Sequence, residues 1–176
     1  MTVIDPPQSI NTFFAFASDK GVIAGSYVDA GHASHGFVRT PQGKFKTFDA
    51  PNGDPDIAVT GINNAGDVTG YFGDNGSVDG FIRTADGTFT LFQPPGLGAV
   101  PVSINAKGET TGDYSGNGKS VGFFRKPNGK ITSFRVPNSN GDTVPTGVNS
   151  AGVVAGFAYV KRAKHTSEII GFIRTP

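Results

Sequence analysis

Four copies of one sequence pattern fill this chain, and this repetition restricts its fold more than any other feature. Each copy has a glycine turn and a Gly-Phe-x-Arg segment, and each of the first three ends in a short closing segment whose last residue is proline. Those closing segments read KFKTFDAP, TFTLFQPP and KITSFRVP. The fourth copy stops at Pro176 without one, while the chain opens with MTVIDPP, which fits the missing segment. A pattern that closes on itself in this way predicts a closed ring of repeats.

The spacing of the closing prolines matches the size of a propeller blade. Pro7, Pro51, Pro95 and Pro137 are separated by 44, 44 and 42 residues, and the wrap from Pro137 through the chain end to Pro7 takes 46. Repeats of about 40 to 50 residues built of short strands are typical of four-stranded blades. We therefore predict an all-β, four-bladed β-propeller with four strands per blade. An open array, or two chains that form a larger ring, is the alternative.

The predicted propeller is a single closed domain that takes up residues 1–176. Its first three repeats cover roughly residues 8–51, 52–95 and 96–137, and its last blade combines residues 138–176 with residues 1–7. The N-terminal strand would then pair with residues 171–175 and close the last blade. In the second repeat, alternating apolar residues and turn glycines predict strands at residues 58–63, 67–72, 80–84 and 88–93.

The composition argues against several classes of function. The formal net charge is +1, which gives no basis for binding nucleic acid or an anionic membrane. There is no apolar run of about 18 residues that would span a bilayer, and the N-terminus lacks the charged and apolar regions of a signal peptide. The chain has no cysteine, so disulfides and thiol chemistry are excluded, while the compartment stays open. We expect no cofactor and no metal.

The Gly-Phe-x-Arg segment recurs in every copy and predicts a shared structural layer. Alternation along a strand places Phe81 and Arg83 on one face and Ile82 on the other, so both faces carry large side chains. A glycine before each phenylalanine makes room for a neighbouring phenylalanine ring. We interpret the arginines as structural stacks or ion pairs rather than as an anion-binding ring; they are Arg39, Arg83, Arg125 and Arg174.

The motifs of the repeat are also shared with a known group of bacterial proteins. They are GINNAG, TGYF, DGFIRT and FTLFQPP in the second copy, with His35-Gly36-Phe37 and Phe48-Asp49-Ala50-Pro51 in the first. Together they resemble the bacterial HAF-repeat family across essentially the whole chain. The resemblance implies an extracellular repeat fold and carries over no catalytic residue. The family's histidine before Gly-Phe is matched by His35 alone, which argues against a fourfold histidine site.

The loops between the second and third strands differ from copy to copy, and we expect function on that face. The turns at the opposite face are nearly uniform, with the sequences SDKG, NNAG, NAKG and NSAG. The fourth variable loop is longer than the others and contains His165. Variable loops on a rigid scaffold are where binding and catalysis tend to be placed.

The first repeat departs from the others in the strand nearest the axis. Phe13, Phe14 and Phe16 stand there where the other copies have mostly small residues. Two interpretations are open. These rings either plug the central channel as core, or they form an apolar wall against which a ligand stacks.

The side chains best suited to catalysis lie in the same repeat. Asp29, His32 and His35 belong to one loop, where a histidine could act as a general base oriented by the aspartate. Together with His165 they could instead bind a metal, or they could simply pack within the loop. We favour packing, because a hairpin loop fixes none of the ligand spacings that identify a site, and we keep the three residues as candidate catalytic groups.

Two functions from different classes follow from these observations. The first is a binding module for a small polar ligand, such as a saccharide, or for a protein partner. Its expected ligand-binding residues are Phe13, Phe14, Phe16, Tyr27, Tyr71, Tyr114, Tyr159 and His165. The second is a small-molecule enzyme, such as a hydrolase, lyase or cyclase, with an asymmetric funnel at blade one. We favour the binding module and expect a monomer, with a dimer as the alternative.

Overall fold

The computed structural model describes residues 2–73, 78–139, 141–163 and 166–176, and side chains at all of these except residues 14, 15, 161–163, 166 and 167. These residues form antiparallel strands and turns in four sheets, and within each sheet the strands follow chain order. None of the described residues belongs to a helix that could cross a membrane. The predicted all-β architecture of four repeated sheets is confirmed.

Three sheets have four strands and the last has three. Sheet 1 consists of β1 (Ser9–Ala17), β2 (Ile23–Asp29), β3 (Ser34–Arg39) and β4 (Phe45–Phe48). Sheet 2 consists of β5 (Ile57–Ile62), β6 (Val68–Phe72), β7 (Asp79–Arg83) and β8 (Phe89–Phe92). Sheet 3 consists of β9 (Leu97–Ile104), β10 (Thr110–Gly116), β11 (Lys119–Arg125) and β12 (Ile131–Phe134). Sheet 4 consists of β13 (Thr143–Val148), β14 (Val154–Ala163) and β15 (Thr166–Arg174).

An asparagine and a glycine build the turn between the first two strands of a sheet. In sheet 2, the Asn63 Oδ1 atom accepts hydrogen bonds from the backbone N–H groups of Ala65 and Asp67, each at 2.9 Å. Gly66 has a φ of 89°, in the left-handed region that favours glycine. Asn105 and Asn149 accept the same pair of backbone hydrogen bonds in their own turns. The repeated Asn-x-x-Gly sequence therefore has one structural cause.

The same asparagines also join neighbouring sheets. The Asn63 Nδ2 group donates to the backbone oxygen of Asn105 at 3.1 Å, and the Asn105 Nδ2 group donates to that of Asn149 at 2.8 Å. Both donor residues are buried, where an unpaired amide would be costly. Ser18 holds the equivalent position in sheet 1, so this chain of hydrogen bonds runs from sheet 2 to sheet 4.

At each boundary between sheets, an arginine lies over a phenylalanine of the preceding sheet. The guanidinium carbon is 4.5 Å from the ring centre for Arg83 on Phe48, 5.0 Å for Arg125 on Phe92 and 5.1 Å for Arg174 on Phe134. Arg83 and Arg125 are almost completely buried, which strengthens the attraction of a cation to a ring face. The structural interpretation of these three arginines is confirmed.

A glycine lies beneath each of these phenylalanine rings. Strand pairing places Gly36 opposite Phe48, and the same pairing recurs as Gly80 with Phe92 and Gly122 with Phe134. A Cβ atom added to any of the three glycines would come closer than 3.0 Å to the ring. The ring therefore rests on its own sheet and presents its other face to the arginine of the next sheet, as the sequence predicted for these glycines.

The apolar core lies between sheets rather than within one. One cluster combines Ala24 and Phe48 of sheet 1 with Ile57, Val59 and Phe81 of sheet 2, among others. A second cluster joins sheet 2 to sheet 3 in the same way. Stacking of this kind buries both faces of an inner sheet, which explains why every strand pair carries large side chains on both sides.

The N-terminal residues do not close the last sheet, so the prediction that residues 1–7 pair with residues 171–175 is wrong for residues 2–7. These residues form no strand, and the outer edge of β15 has no paired strand in the described part of the chain. The Asp5 Oδ1 atom instead accepts hydrogen bonds from Ser9 Oγ at 2.5 Å and Thr12 Oγ1 at 2.8 Å. Local side-chain hydrogen bonds of this kind compete with strand pairing. Met1 lies outside the described residues.

The stack of sheets is open between its two ends. Consecutive sheets are in extensive contact, whereas none of the described strands of sheet 4 makes an extensive contact with a strand of sheet 1. The chain is therefore a propeller-like array of four sheets, and the expected closed ring is not present in the single chain.

The glycine beneath each ring gives a direct test of this packing. We expect Gly122→Ala to lower the free energy of unfolding by about 1 to 3 kcal/mol, because the new methyl group overlaps the Phe134 ring. Gly147→Ala is the matched control, since this strand glycine has nothing within 4 Å of an added Cβ, and we expect a change below about 0.5 kcal/mol. Urea unfolding measures both, and equal effects would contradict the packing described here.

Candidate functional site

The side chain of His35 is held between two carboxylates. Its Nδ1 atom lies 2.6 Å from Asp49 Oδ1, and its Nε2 atom lies 3.2 Å from Asp29 Oδ2. A carboxylate only accepts hydrogen bonds, so both contacts are satisfied together when both ring nitrogens carry a proton. The geometry therefore favours the imidazolium form of His35.

A tight loop after β2 directs Asp29 toward His35. The Asp29 Oδ1 atom accepts hydrogen bonds from the backbone N–H groups of Gly31 at 2.8 Å and Ala33 at 3.0 Å. This leaves Oδ2 to face the imidazole. His32 has a φ of 67°, and its backbone N–H donates to the backbone carbonyl oxygen of Asp29 at 3.0 Å. His32 thus closes the loop through its backbone, while the residue itself is exposed.

Strand register brings Asp49 to the other side of the ring. Gly36 pairs with Phe48 across β3 and β4, so in an antiparallel ladder the residues one step further along, His35 and Asp49, are also neighbours. Beneath them, the Tyr27 ring stacks on the His35 ring with 5.0 Å between centroids. The imidazole is consequently fixed from three sides.

These contacts change the proton affinities of the group. Burial by itself lowers the pKa of His35, but the hydrogen bonds and negative charges of Asp49 and Asp29 outweigh it and raise the pKa above its ordinary value. The hydrogen bond from His35, followed by the one from Ala33, holds the pKa of Asp29 below its ordinary value. His35 is therefore charged over a wider pH range than a free histidine.

The other sheets fill the same position with different chemistry. In sheet 2 the Gln93 Nε2 group donates to Asp79 Oδ1. In sheet 3 the position opposite Arg135 is Val121, and the Arg135 Nη2 group instead donates to the Gly116 oxygen at 3.0 Å. Among these three sheets, a titratable histidine at this position is a feature of sheet 1.

An open pocket lies between sheets 1 and 2, at the same loop end of the strands. Its volume is about 190 Å³, and it is lined by Ser34, Asp56, Ile57, Ala58, Tyr71 and Gly73. The backbone N–H of Ser34 donates to the Pro55 oxygen at 2.7 Å, which ties the loop of sheet 1 to the connection that leads into sheet 2. Because Ser34 directly precedes His35 in β3, their side chains point to opposite faces of sheet 1, so the pocket and the carboxylate–imidazole group lie at the same loop end of the sheet but on its two faces. This is the variable-loop face on which we expected function.

The remaining predicted site residues are dispersed. Phe16 packs against the core between sheets 1 and 2, whereas Phe13 is 45% exposed. Tyr114 is buried and its hydroxyl donates to Ser133 Oγ at 2.9 Å. Tyr159 lies on sheet 4 with its ring 5.9 Å from that of Phe157. His165 and the side chain of Phe14 lie outside the described residues.

The four predicted tyrosines do not occupy equivalent positions. Counted from the strand glycine of each sheet, Tyr27 and Tyr114 stand two residues later, Tyr71 stands one residue later and Tyr159 three. Alternation therefore sends Tyr71 to the opposite face of its strand from Tyr27 and Tyr114. Of the four, Tyr27 and Tyr71 lie at the candidate site, and their role in ligand binding stays a prediction.

Two features of the site region were missed from the sequence. The first is Asp49, which could have been found by extending the strand register from the Gly36–Phe48 pair. The second is a groove of about 290 Å³ at the opposite face, where the inner strands of all four sheets end around Asn63, Asn64 and Asn105. The repeated asparagines of the turns were its signal. Because their amide groups already bind other sheets, we assign this groove a structural role.

The described residues contain no group of three or more histidine, aspartate or glutamate side chains arranged to bind a metal ion. The reason at His35 is plain from the geometry, since both ring nitrogens face carboxylates at hydrogen-bond distance. A metal would have to displace one of these contacts.

Comparison with known proteins supports the fold. Neither a family model nor a curated protein matches the chain, so its resemblance to the HAF-repeat family stays a prediction. Among solved structures, it is similar to a catalytically inactive histidine-to-alanine variant of virginiamycin B lyase from Staphylococcus aureus with quinupristin. That likeness has a TM-score of 0.59 at 19% identity and covers 97% of this chain and 58% of the lyase. A streptogramin B lyase structure has a TM-score of 0.50 at 16% identity, with coverage of 94% and 69%.

The raised pKa of His35 predicts how stability depends on pH. Protonation stabilises the folded state, so the contribution is fully present below about pH 6.5, the ordinary value, and is lost as the pH rises through the folded-state pKa. We expect the difference in the free energy of unfolding between the natural protein and His35→Gln to be largest near pH 6 and to shrink toward pH 8.5, about two pH units above the ordinary value. His32→Gln serves as the control and should show no such trend. Parallel pH profiles for the two variants would contradict the arrangement.

Proposed function

We propose that this chain is a propeller-type binding module that holds a small polyhydroxylated ligand, such as a saccharide, at the boundary of sheets 1 and 2. The observation that carries this proposal is the open pocket lined by Ser34, Asp56 and Tyr71, at the same loop end of the sheets as His35, both of whose ring nitrogens face carboxylates. The arrangement presents fixed hydrogen-bond acceptors to a ligand and leaves no free base.

The occupied ring nitrogens argue against catalysis by proton abstraction. A general base must reach the substrate proton with an unoccupied lone pair at hydrogen-bond distance. At His35 each ring nitrogen is directed at Asp29 or Asp49, and the raised pKa favours the protonated ring. The positive ring instead fixes the two carboxylates in place, and Asp49 keeps 70% of its side chain exposed to an incoming ligand.

The pocket supplies what a sugar ring needs. Sugar hydroxyls are hydrogen-bond donors, and Asp56, which lines the pocket, supplies a carboxylate acceptor. Tyr71 lines one wall and offers an aromatic surface to the C–H face of a ring. A volume of about 190 Å³ suits one small ring rather than a long chain.

The proposal is tested with a panel of neutral mono- and disaccharides, screened by ligand-observed NMR and then titrated by calorimetry. We expect Asp56→Asn and Tyr71→Ala each to weaken binding of the best saccharide about 10- to 100-fold, because each removes a charged acceptor or a stacking surface. Asp86→Asn is the matched control. It makes the same charge change in the turn between β7 and β8, at the opposite face.

Equal affinities for Asp56→Asn and Asp86→Asn would place the ligand elsewhere. Absence of binding by every saccharide in the panel would overturn the polyhydroxylated class of ligand. The far-UV spectrum and melting temperature of each variant accompany the titrations, so that a loss of fold is not mistaken for a loss of binding.

A second candidate function is that of a lyase, with His35 as the proton donor. Two observations favour it: the fold is similar to that of streptogramin B lyases, and the raised pKa of His35 favours the form of the ring that has a proton to donate. The catalytically inactive variant of virginiamycin B lyase has alanine in place of one histidine, which makes a histidine-dependent reaction a reasonable comparison.

Quinupristin itself separates the two functions. If the lyase candidate holds, the protein consumes quinupristin, as followed by liquid chromatography, and His35→Gln abolishes consumption while His32→Gln does not. Under the binding proposal, quinupristin is unchanged by all three proteins.

A further inference from the structure

In the described residues, the outer edge of β15 lacks the fourth strand, and with it the phenylalanine ring, that every other sheet has. In sheets 1 to 3 the last strand places a phenylalanine ring over a glycine, at less than 3.0 Å from where a Cβ would stand. Gly171 is the matching glycine of β15, and a Cβ there would meet only the Gly156 oxygen, at 3.9 Å. Sheet 4 therefore has the recess for a large side chain and nothing that fills it within the described residues.

The opposite end of the array lacks the same element. Arg83, Arg125 and Arg174 each lie over a phenylalanine from the sheet before. Arg39 of sheet 1 has no preceding sheet and lies 5.8 Å from the ring of Phe45 in its own sheet. A single strand placed between Gly171 and Arg39 would cover the glycine of sheet 4 and lie against the arginine of sheet 1.

The exposed side of sheet 4 supports this view. Ile173 is 75% exposed, whereas its counterparts Ile82 and Phe124 are 8% and 3% exposed because the next sheet covers them. Ile169 on the same strand is 61% exposed. A free strand edge that also carries exposed isoleucines is a surface prepared for another strand and another sheet.

The chain itself carries a segment that fits the recess. The closing segment Phe48-Asp49-Ala50-Pro51 aligns with Ile4-Asp5-Pro6-Pro7, which places Ile4 at the position of the phenylalanine that covers the glycine. Val3 is 84% exposed, and residues 2–7 form no strand on their own sheet. The segment thus joins no strand ladder, and it is tied to β1 through the hydrogen bonds of Asp5 and through the Pro6 oxygen, which accepts the backbone N–H of Ser9 at 3.2 Å.

We propose that residues 2–5 of a second copy add to the edge of β15, and that two copies join head to tail in a ring of eight sheets. Each copy then supplies the missing strand of the other. Ile4 of one copy lies over Gly171 of the other, and sheet 1 of the first copy, with Arg39, packs against sheet 4 of the second. The likeness to virginiamycin B lyase covers 58% of that longer chain, so an array with this curvature has room for more than four sheets. Propellers of up to about eight blades are well known, and two identical junctions related by a two-fold axis leave no open end.

A designed disulfide distinguishes the second copy from the other occupants of the edge. The chain has no cysteine, so the two thiols introduced in the double variant Ile4→Cys/Gly171→Cys are the only ones that can form a disulfide. We expect a covalent dimer on a non-reducing gel, at twice the 18.2 kDa of one chain. The control is Val3→Cys/Gly171→Cys, whose first cysteine points to the other face of the strand and should give several-fold less dimer.

Each other outcome overturns the proposal. A disulfide within one chain would show that residues 2–5 close their own sheet, and a ladder of trimers and larger species would show an open polymer. Equal cross-linking in the control would show that the contact is random.

A second variant tests the noncovalent dimer. Gly171→Leu fills the recess without a clash inside the chain. Light scattering should therefore show a monomer, while the far-UV spectrum and the melting temperature in dilute solution match those of the natural protein. The natural protein should be a dimer under the same conditions. If it is a monomer at every concentration, or if Gly171→Leu is still a dimer, the proposal is wrong. This test is independent of ligand binding at the pocket, because residues of sheets 1 and 2 of a single chain line it.

Discussion

The contact on which this fold depends is a stack of three groups, in which a glycine supports a phenylalanine ring and an arginine of the next sheet lies over it. The stack fixes strand pairing within one sheet and spacing between two sheets at once. Because the glycine offers no Cβ, the ring can lie flat on the ladder, and its outer face is left for the buried guanidinium group. The asparagine hydrogen bonds between turns set the same spacing at the inner end of the sheets. Together these contacts explain why the sequence repeats where it does.

Much of this architecture follows from the sequence. Strands predicted at residues 58–63, 67–72, 80–84 and 88–93 lie at Ile57–Ile62, Val68–Phe72, Asp79–Arg83 and Phe89–Phe92. Glycine turns and alternation suffice for this, since both are local. Closure is not local. Sequence similarity identifies MTVIDPP as a suitable edge strand, but which sheet edge it reaches depends on the curvature of the array and on the competing hydrogen bonds of Asp5.

The candidate site shows the same division. The sequence indicated the face, the loop and three residues of that loop, because variable loops and reactive side chains can be recognised from sequence alone. It did not indicate Asp49, whose importance depends on a partner fourteen residues away across a strand pair. Nor did it separate Tyr71 from Tyr27 and Tyr114, because one residue of difference in position reverses the side of the sheet.

The position held by His35 and Asp49 has a wider meaning for how such a protein can change. Aspartate and glutamine stand there in sheet 2, and valine with a redirected arginine in sheet 3. The backbone ladder is the same beneath all three, so the side chains at this point differ without a change in strand pairing. Selection can thus change the residues that recognise a ligand in one repeat while the other repeats keep theirs. New specificity can arise by single substitutions without a change in the fold.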